Sequence, residues 1–174
     1  LLFIRFISEG GDSMPISNEE FKIKYSMYAQ ELMNISYGYT KNLDEAKDII
    51  QNTFIKLINR TKVFKSINHE KYWLIRVTIN ECKDLLRKKA KYTNIDDNSI
   101  DSLINFEDDK KLHIIAELVK KLPDKYKSVI ILFYYDNQSI ATISKAIGIS
   151  ESAVKKRLER ARNILKNEME ELQC

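Results

Sequence analysis

The 174-residue sequence predicts an all-α protein built as two small helical domains joined by an acidic linker. Three observations carry this. Apolar residues recur at spacings of three and four along most of the chain, the period of a helix with one buried face. Only 4 Gly and 2 Pro are present, little material for hairpins. Between Tyr92 and Asp109 the periodicity lapses and the chain holds Asp96, Asp97, Asp101, Glu107, Asp108 and Asp109 with no Lys or Arg. Such a run reads as a solvated tether. The boundaries expected are 14–91 and 112–174 for the domains and 92–111 for the linker.

Residues 1–13 stand apart. Leu1-Leu2-Phe3-Ile4-Arg5-Phe6-Ile7 is too short for a secretion signal and no cleavage site follows it. Glu9-Gly10-Gly11-Asp12 is readily encoded by a purine-rich ribosome-binding sequence just ahead of Met14. The expectation is a translated leader with the start at Met14, the alternative being an apolar N-terminal arm.

The first helix begins with a capping box, Ser17 at the N-cap and Glu20 three residues on, with Ile16 and Phe21 as its hydrophobic staple. Phe21, Tyr25, Tyr28, Leu32, Ile35 and Tyr39 then alternate at four and three. Asp44 is expected to cap a second helix with Ala46, Ile49, Ile50, Thr53, Phe54 and Leu57 inward and Asp48, Gln51, Asn52 and Lys56 on its polar side. After a polar, basic loop from Arg60 to His69, a third helix is expected from about Glu70 to Lys89. Ile75, Ile79, Cys82 and Leu86 form its apolar stripe. Trp73, Arg76, Asn80, Asp84 and Arg87 form a second stripe, with Lys83 nearby. An aromatic, amide and basic face can stack on unpaired bases while tracking phosphates; the plainer reading is that Trp73 is a core anchor and the rest is solvated.

Beyond the linker, Leu112, Ile115, Ala116 and Val119 mark another helix, and Pro123 is able to start the next. That helix draws its core from Val129, Ile130, Leu132 and Phe133, and Asp136-Asn137 turns the chain. Ser139 to Leu165 then reads as a helix-turn-helix. Ile140, Ile143 and Ile147 give the short helix a buried face, Gly148 ends it in a left-handed conformation, and Ser150 caps the longer helix. Val154, Leu158, Ala161 and Leu165 form one apolar stripe. Ser152, Lys156, Glu159, Arg160 and Asn163 point the other way, with Lys155 and Arg157 on the flanks. From Ser150 to Asn167 there are six basic and two acidic residues. A basic helix with a polar N-terminal half, held out by a tight turn, suits the DNA major groove.

The remaining composition excludes more than it adds. Net charge is +4 and the pI about 8.9, so the polyanion signal lies in where the charge sits. Cys82 and Cys174 have no metal or redox spacing, which suits a reducing cytosol. His69 and His113 have no companion ligands. No phosphate-cradling glycine loop, metal cluster or nucleophile–base set argues for an enzyme, a cofactor or a small-molecule substrate.

Three motifs, in order and suitably separated, resemble the extracytoplasmic-function (ECF, group IV) sigma factors of bacterial RNA polymerase. Asp44-Glu45-Ala46-Lys47-Asp48-Ile49-Ile50-Gln51-Asn52-Thr53-Phe54 is similar to the family's D-A-E-D-L-V-Q-E-T-F segment. Tyr72-Trp73-Leu74-Ile75-Arg76-Val77-Thr78-Ile79-Asn80 is similar to its A-W-L-Y-R-I-A-R-N helix. Leu122-Pro123 through Gly148-Ile149-Ser150 to Val154-Lys155-Lys156-Arg157-Leu158-Glu159-Arg160-Ala161-Arg162 is similar to L-P-x-x-x-R followed by L-G-I-S-x-x-T-V-K-S-R-L-x-R-A-R.

The resemblance implies roles. Asp48, Ile49, Gln51, Asn52 and Phe54 lie in the segment that grips the clamp helices of the polymerase largest subunit, with Asn52 standing where the family usually has an acid. Trp73, Arg76, Asn80, Lys83 and Arg87 lie on the helix that engages the melted minus-ten element, beside a loop from Lys62 to Lys71 that would wall a pocket for a flipped base. Ser152, Lys155, Lys156, Arg157 and Arg160 would read the minus-thirty-five element, Lys155 and Glu159 being variable positions in the family. The implied partners are core RNA polymerase, through its clamp helices and flap, promoter DNA and an anti-sigma factor, all in the cytoplasm. The rivals are a one-component helix-turn-helix activator with a helical sensor domain, and a helical adaptor that binds no DNA.

Overall fold

The structure is a computed structural model in which residues 16–92 and 110–172 are described. The readings made of residues 1–13, and almost all of the acidic linker, lie outside them. Among the described residues every regular element is helical.

Helix α1 (Asn18–Thr40) begins as the capping box requires: the Ser17 hydroxyl accepts from Glu20 N–H at 3.1 Å. Ile16 and Phe21 pack in the same cluster, as a staple does. The helix ends on Lys41, whose φ of 54° is left-handed and whose N–H reaches the Tyr37 carbonyl. Helix α2 (Leu43–Ile58) is capped by Asn42, not Asp44. The Asn42 side chain accepts from the N–H groups of both Asp44 and Glu45. Asn42 is the first extended residue after the left-handed turn, so it reaches the free N–H groups first. Asp44 instead lies in the first turn, where a carboxylate favours the positive helix end, and pairs with Lys47.

Helix α3 (Ile67–Tyr92) starts three residues ahead of the expected Glu70. Ser66 Oγ accepts from His69 N–H at 3.1 Å, and His69 Nδ1 accepts from Lys65 N–H at 3.2 Å. Here histidine takes the reaching-back part that glutamate plays in a capping box. Ion pairs Lys24–Glu70, Lys56–Glu81 and Lys89–Glu45 tie α3 to α1 and α2. Phe21, Tyr28, Leu32, Ile50, Phe54, Leu57, Ile58 and Leu74 fill one core of this three-helix unit.

The second unit runs through α4 (Lys110–Lys121), α5 (Asp124–Ile130), α6 (Ile140–Ile147) and α7 (Glu151–Glu171). Pro123 stands just before α5, where its missing N–H costs nothing. Residues Ile131–Tyr135 continue α5 as a π-helical turn, closed by Asp136 N–H to the Ile131 carbonyl. Asn137 then reverses the chain at φ 50°.

The two units are not separate bodies. Ile35, Tyr39, Ile49, Ile75, Ile79 and Cys82 of the first share one core with Val119, Leu122, Val129 to Leu132, Ile143, Ala146, Val154, Leu158 and Ala161 of the second. Gly38 sits where a Cβ would lie 2.7 Å from Ile131 Cγ2, so α1 and the π turn approach too closely for a side chain. The Tyr39 hydroxyl, buried at this seam, hydrogen-bonds Ser128 Oγ at 2.8 Å. No described helix is long and apolar enough to cross a membrane.

Candidate nucleic-acid interface

The helix-turn-helix is assembled by local hydrogen bonds. Ser139 Oγ accepts from Thr142 N–H and opens α6. Gly148, at φ 73°, lets its own N–H and that of Ile149 both reach the Ser144 carbonyl, at 2.9 and 3.1 Å. Ser144 Oγ donates to the Ile149 carbonyl, which locks the turn. Ser150 Oγ accepts from Ala153 N–H at 3.2 Å and opens α7. Val154, Leu158 and Ala161 are buried, with Ile149 and Leu165 packed at the edge of the same core.

Burying that stripe forces the opposite face outward. Ser152, Lys155, Lys156 and Arg160 are exposed and Arg157 is half-buried. The Arg160 guanidinium lies beside the Tyr126 hydroxyl and lowers its pKa. Five candidate residues therefore occupy the N-terminal half of one helix.

The α3 stripe behaves differently. Trp73 is half-buried, with Phe64 edge-on at 5.5 Å and the Arg60 guanidinium 5.0 Å from its ring centre. Arg60 also lies 4.4 Å from the Phe64 ring. Arg76 reaches across the seam: Nε donates to the Ala146 carbonyl at 2.9 Å and Nη2 to the Lys145 carbonyl at 3.2 Å. Lys83, half-buried, is close enough to the buried Lys127 to lower that ammonium's pKa, though burial is the larger cause. Asn80 and Arg87 are exposed, Arg87 pairing with Asp84 at 2.7 Å. The stripe exists as a face, but Arg76 and Lys83 are turned toward the second unit.

On α2 the expected partner-binding residues divide. Asp48, Gln51 and Asn52 are exposed. Ile49 (3% exposed) and Phe54 (0%) are core residues, Ile49 at the seam and Phe54 within the first unit. Their period of three and four buries them, so they set where the polar residues stand and touch nothing outside. No pattern in the sequence marks Arg60 as part of this face, because its place over Trp73 depends on the fold of the loop between them. Among the described residues no three His, Cys, Asp or Glu side chains come together as a metal site.

Two family models match in chain order: sigma-70 region 2 over residues 25–92 and sigma-70 region 4 over residues 112–165. The chain belongs to the sigma-70 family, in its extracytoplasmic-function group. It is an RNA polymerase sigma factor. RNA polymerase sigma factor SigV of Bacillus subtilis is 28% identical over 140 residues, covering 80% of this chain and 84% of that protein. ECF RNA polymerase sigma factor SigW of the same organism is 27% identical over 165 residues, covering 84% of this chain and 87% of that one. The fold matches that of the sigma factor RpoE from Bartonella quintana, solved in complex with the anti-sigma factor NepR. That match has a TM-score of 0.69 and 20% identity, and covers 87% of this chain and 98% of that one. It also matches CnrH, solved with the cytosolic domain of CnrY, at a TM-score of 0.61 and 19% identity, covering 97% and 96%. The region 2 match accounts for the part of the chain that the activator reading would give to a sensor.

Proposed function

We propose that this sigma factor engages its partners through four separate surfaces. The exposed Asp48, Gln51 and Asn52 of α2 grip the polymerase clamp helices. Trp73, Arg76, Asn80, Lys83 and Arg87 of α3 meet the unpaired minus-ten strand. Ser152, Lys155, Lys156, Arg157 and Arg160 of α7 enter the major groove at the minus-thirty-five element. An apolar groove between α4, α5 and α7, lined by Ile115, Val119, Ile130, Tyr134, Leu165 and Met169, suits a helix of the polymerase flap. On this reading residues 14–91 and 112–174 are the working domains, 92–111 their tether, the site of action is the cytoplasm, and an anti-sigma factor is a further partner. The chain performs no bond chemistry; it lends binding energy to promoter melting.

The observation that carries the reading is the exposed basic face of α7, held by two serine caps and a glycine turn. A face making few phosphate contacts binds duplex DNA weakly and with salt sensitivity when free. Core polymerase, by fixing the spacing of both grips, makes the second contact intramolecular. The test is Arg157→Ala with Arg160→Ala. The double variant should keep wild-type affinity for core polymerase while its holoenzyme loses promoter binding. Loss of polymerase affinity instead would reassign α7 to the protein interface.

A further inference from the structure

The seam between the two units joins residues with DNA-facing roles to residues with none. On one side Arg76 donates to two carbonyls in the last turn of α6, the negative end of that helix. On the other side lies a polar cluster. Glu31 of α1 accepts from Gln138 Nε2 at 3.2 Å and pairs with Lys71 of α3 at 3.1 Å. Asp136, at the end of the π turn, is buried in this cluster, and its Oδ2 has no hydrogen-bond partner. A buried carboxylate oxygen without a donor is poorly placed to carry charge and well placed to carry a proton.

We propose that the free sigma factor closes its two units onto each other, and that protonation of Asp136 beside Glu31 holds this closed, promoter-incompetent state. The promoter-incompetent part rests on the role given to Arg76 above, since one guanidinium cannot serve both the α6 carbonyls and a DNA strand. The closure itself does not.

The groups facing Asp136 decide the sign. Burial and the Glu31 charge on α1 raise its pKa to about 7; Gln138 beside it, Lys71 on α3 and Asn34 on α1 oppose them. Opened to water, the carboxyl returns toward its usual value of 3.8. The proton is therefore bound more tightly in the closed state. Closure is strongest in acid, weakens through the interval between those two values and levels off above about 7. Lys41 works the other way: its ammonium sits 3.7 Å over the Tyr135 ring, and burial with nearby Lys120 lowers its pKa to about 8. The buried Lys127 is shifted in the same direction. Lys41 offsets the carboxyl only as pH nears 8. Between pH 8 and pH 6 the closing equilibrium should thus rise about fivefold to tenfold.

Cys82, fully buried in the shared core, reports opening. In a full-length chain carrying Cys174→Ser, the rate of Cys82 modification by a thiol reagent is measured at pH 6 and 8. Each rate is divided by that of N-acetylcysteine at the same pH. The normalised rate should climb about fivefold to tenfold from pH 6 to 8. It should stay flat or fall up to twofold in Asp136→Asn, keep a shallower climb in Glu31→Gln, and be faster at both pH values in Arg76→Ala. A flat wild type, or an Asp136→Asn chain that follows the wild type, overturns the proposal. Neither polymerase nor promoter enters the measurement, so its failure leaves the sigma-factor reading standing.

Discussion

Helices α3 and α7 both carry a basic face, are both amphipathic and are both assigned to DNA, yet they present their candidate residues differently. On α7 the apolar stripe of Val154, Leu158 and Ala161 faces inward, and four of the five candidates are exposed, with Arg160 beside the Tyr126 hydroxyl of the same unit. On α3 the candidates are shared with the rest of the molecule: Trp73 lies under Arg60 and against Phe64, Arg76 holds the end of α6, and Lys83 nears Lys127. A helix-turn-helix is thus set by a few local bonds and is ready wherever its core is intact. The α3 face is set by its neighbours, and its availability depends on what the second unit is doing.

The deepest way to probe this contrast is through the core both helices share. Ile75→Ala on α3 and Leu158→Ala on α7 should each cost about 2–5 kcal/mol, because each empties a fully buried site. If the units form one cooperative body, each variant lowers a single thermal transition. Two transitions, each moved by one variant only, would separate the units energetically.

A smaller effect separates the two DNA faces. Arg160→Ala should weaken promoter binding of the holoenzyme by about 1–3 kcal/mol, as for loss of a direct DNA contact. Arg76→Ala should cost less in the same assay, because losing its DNA contact is offset by releasing the clamp on Lys145 and Ala146. Equal losses would mean that the clamp carries no weight in the holoenzyme.

The smallest effects concern how the elements begin. Asn42→Ala should lower stability by about 1 kcal/mol, since it removes the acceptor for two N–H groups. Asp44→Ala should cost only a few tenths of a kcal/mol, the scale of a first-turn charge. Urea unfolding of the two variants distinguishes the caps, and the reverse order would return the cap to Asp44.

What could be read from the sequence follows this division between local and distant causes. Ser17 with Glu20, Gly148 and Ser150 act on backbone groups within four residues, and all were legible as caps or turns. Asn42 and Asp44 are equally good caps by type, and only the left-handed Lys41 chooses between them. The early start of α3 depends on His69 filling a place that the pattern reserves for Glu or Gln. The seam left no pattern: Gly38 against Ile131, Tyr39 against Ser128 and Arg76 against α6 are each pairs far apart in the chain. The acidic stretch suggested two tethered units, and the apolar stripes of α1 and α3 gave no sign that part of each faces the second unit. Ile49 and Phe54 show the same limit, since motif likeness marks a segment while burial decides which of its residues can touch a partner.

The central claim is that this chain directs polymerase to promoters through two grips. Its most direct test is transcription by core RNA polymerase on genomic fragments from the source organism, with and without the purified chain. The account predicts transcripts that begin at discrete positions downstream of a shared two-part sequence, present only when the chain is added. Core polymerase that gains no promoter-specific initiation on any fragment would contradict it.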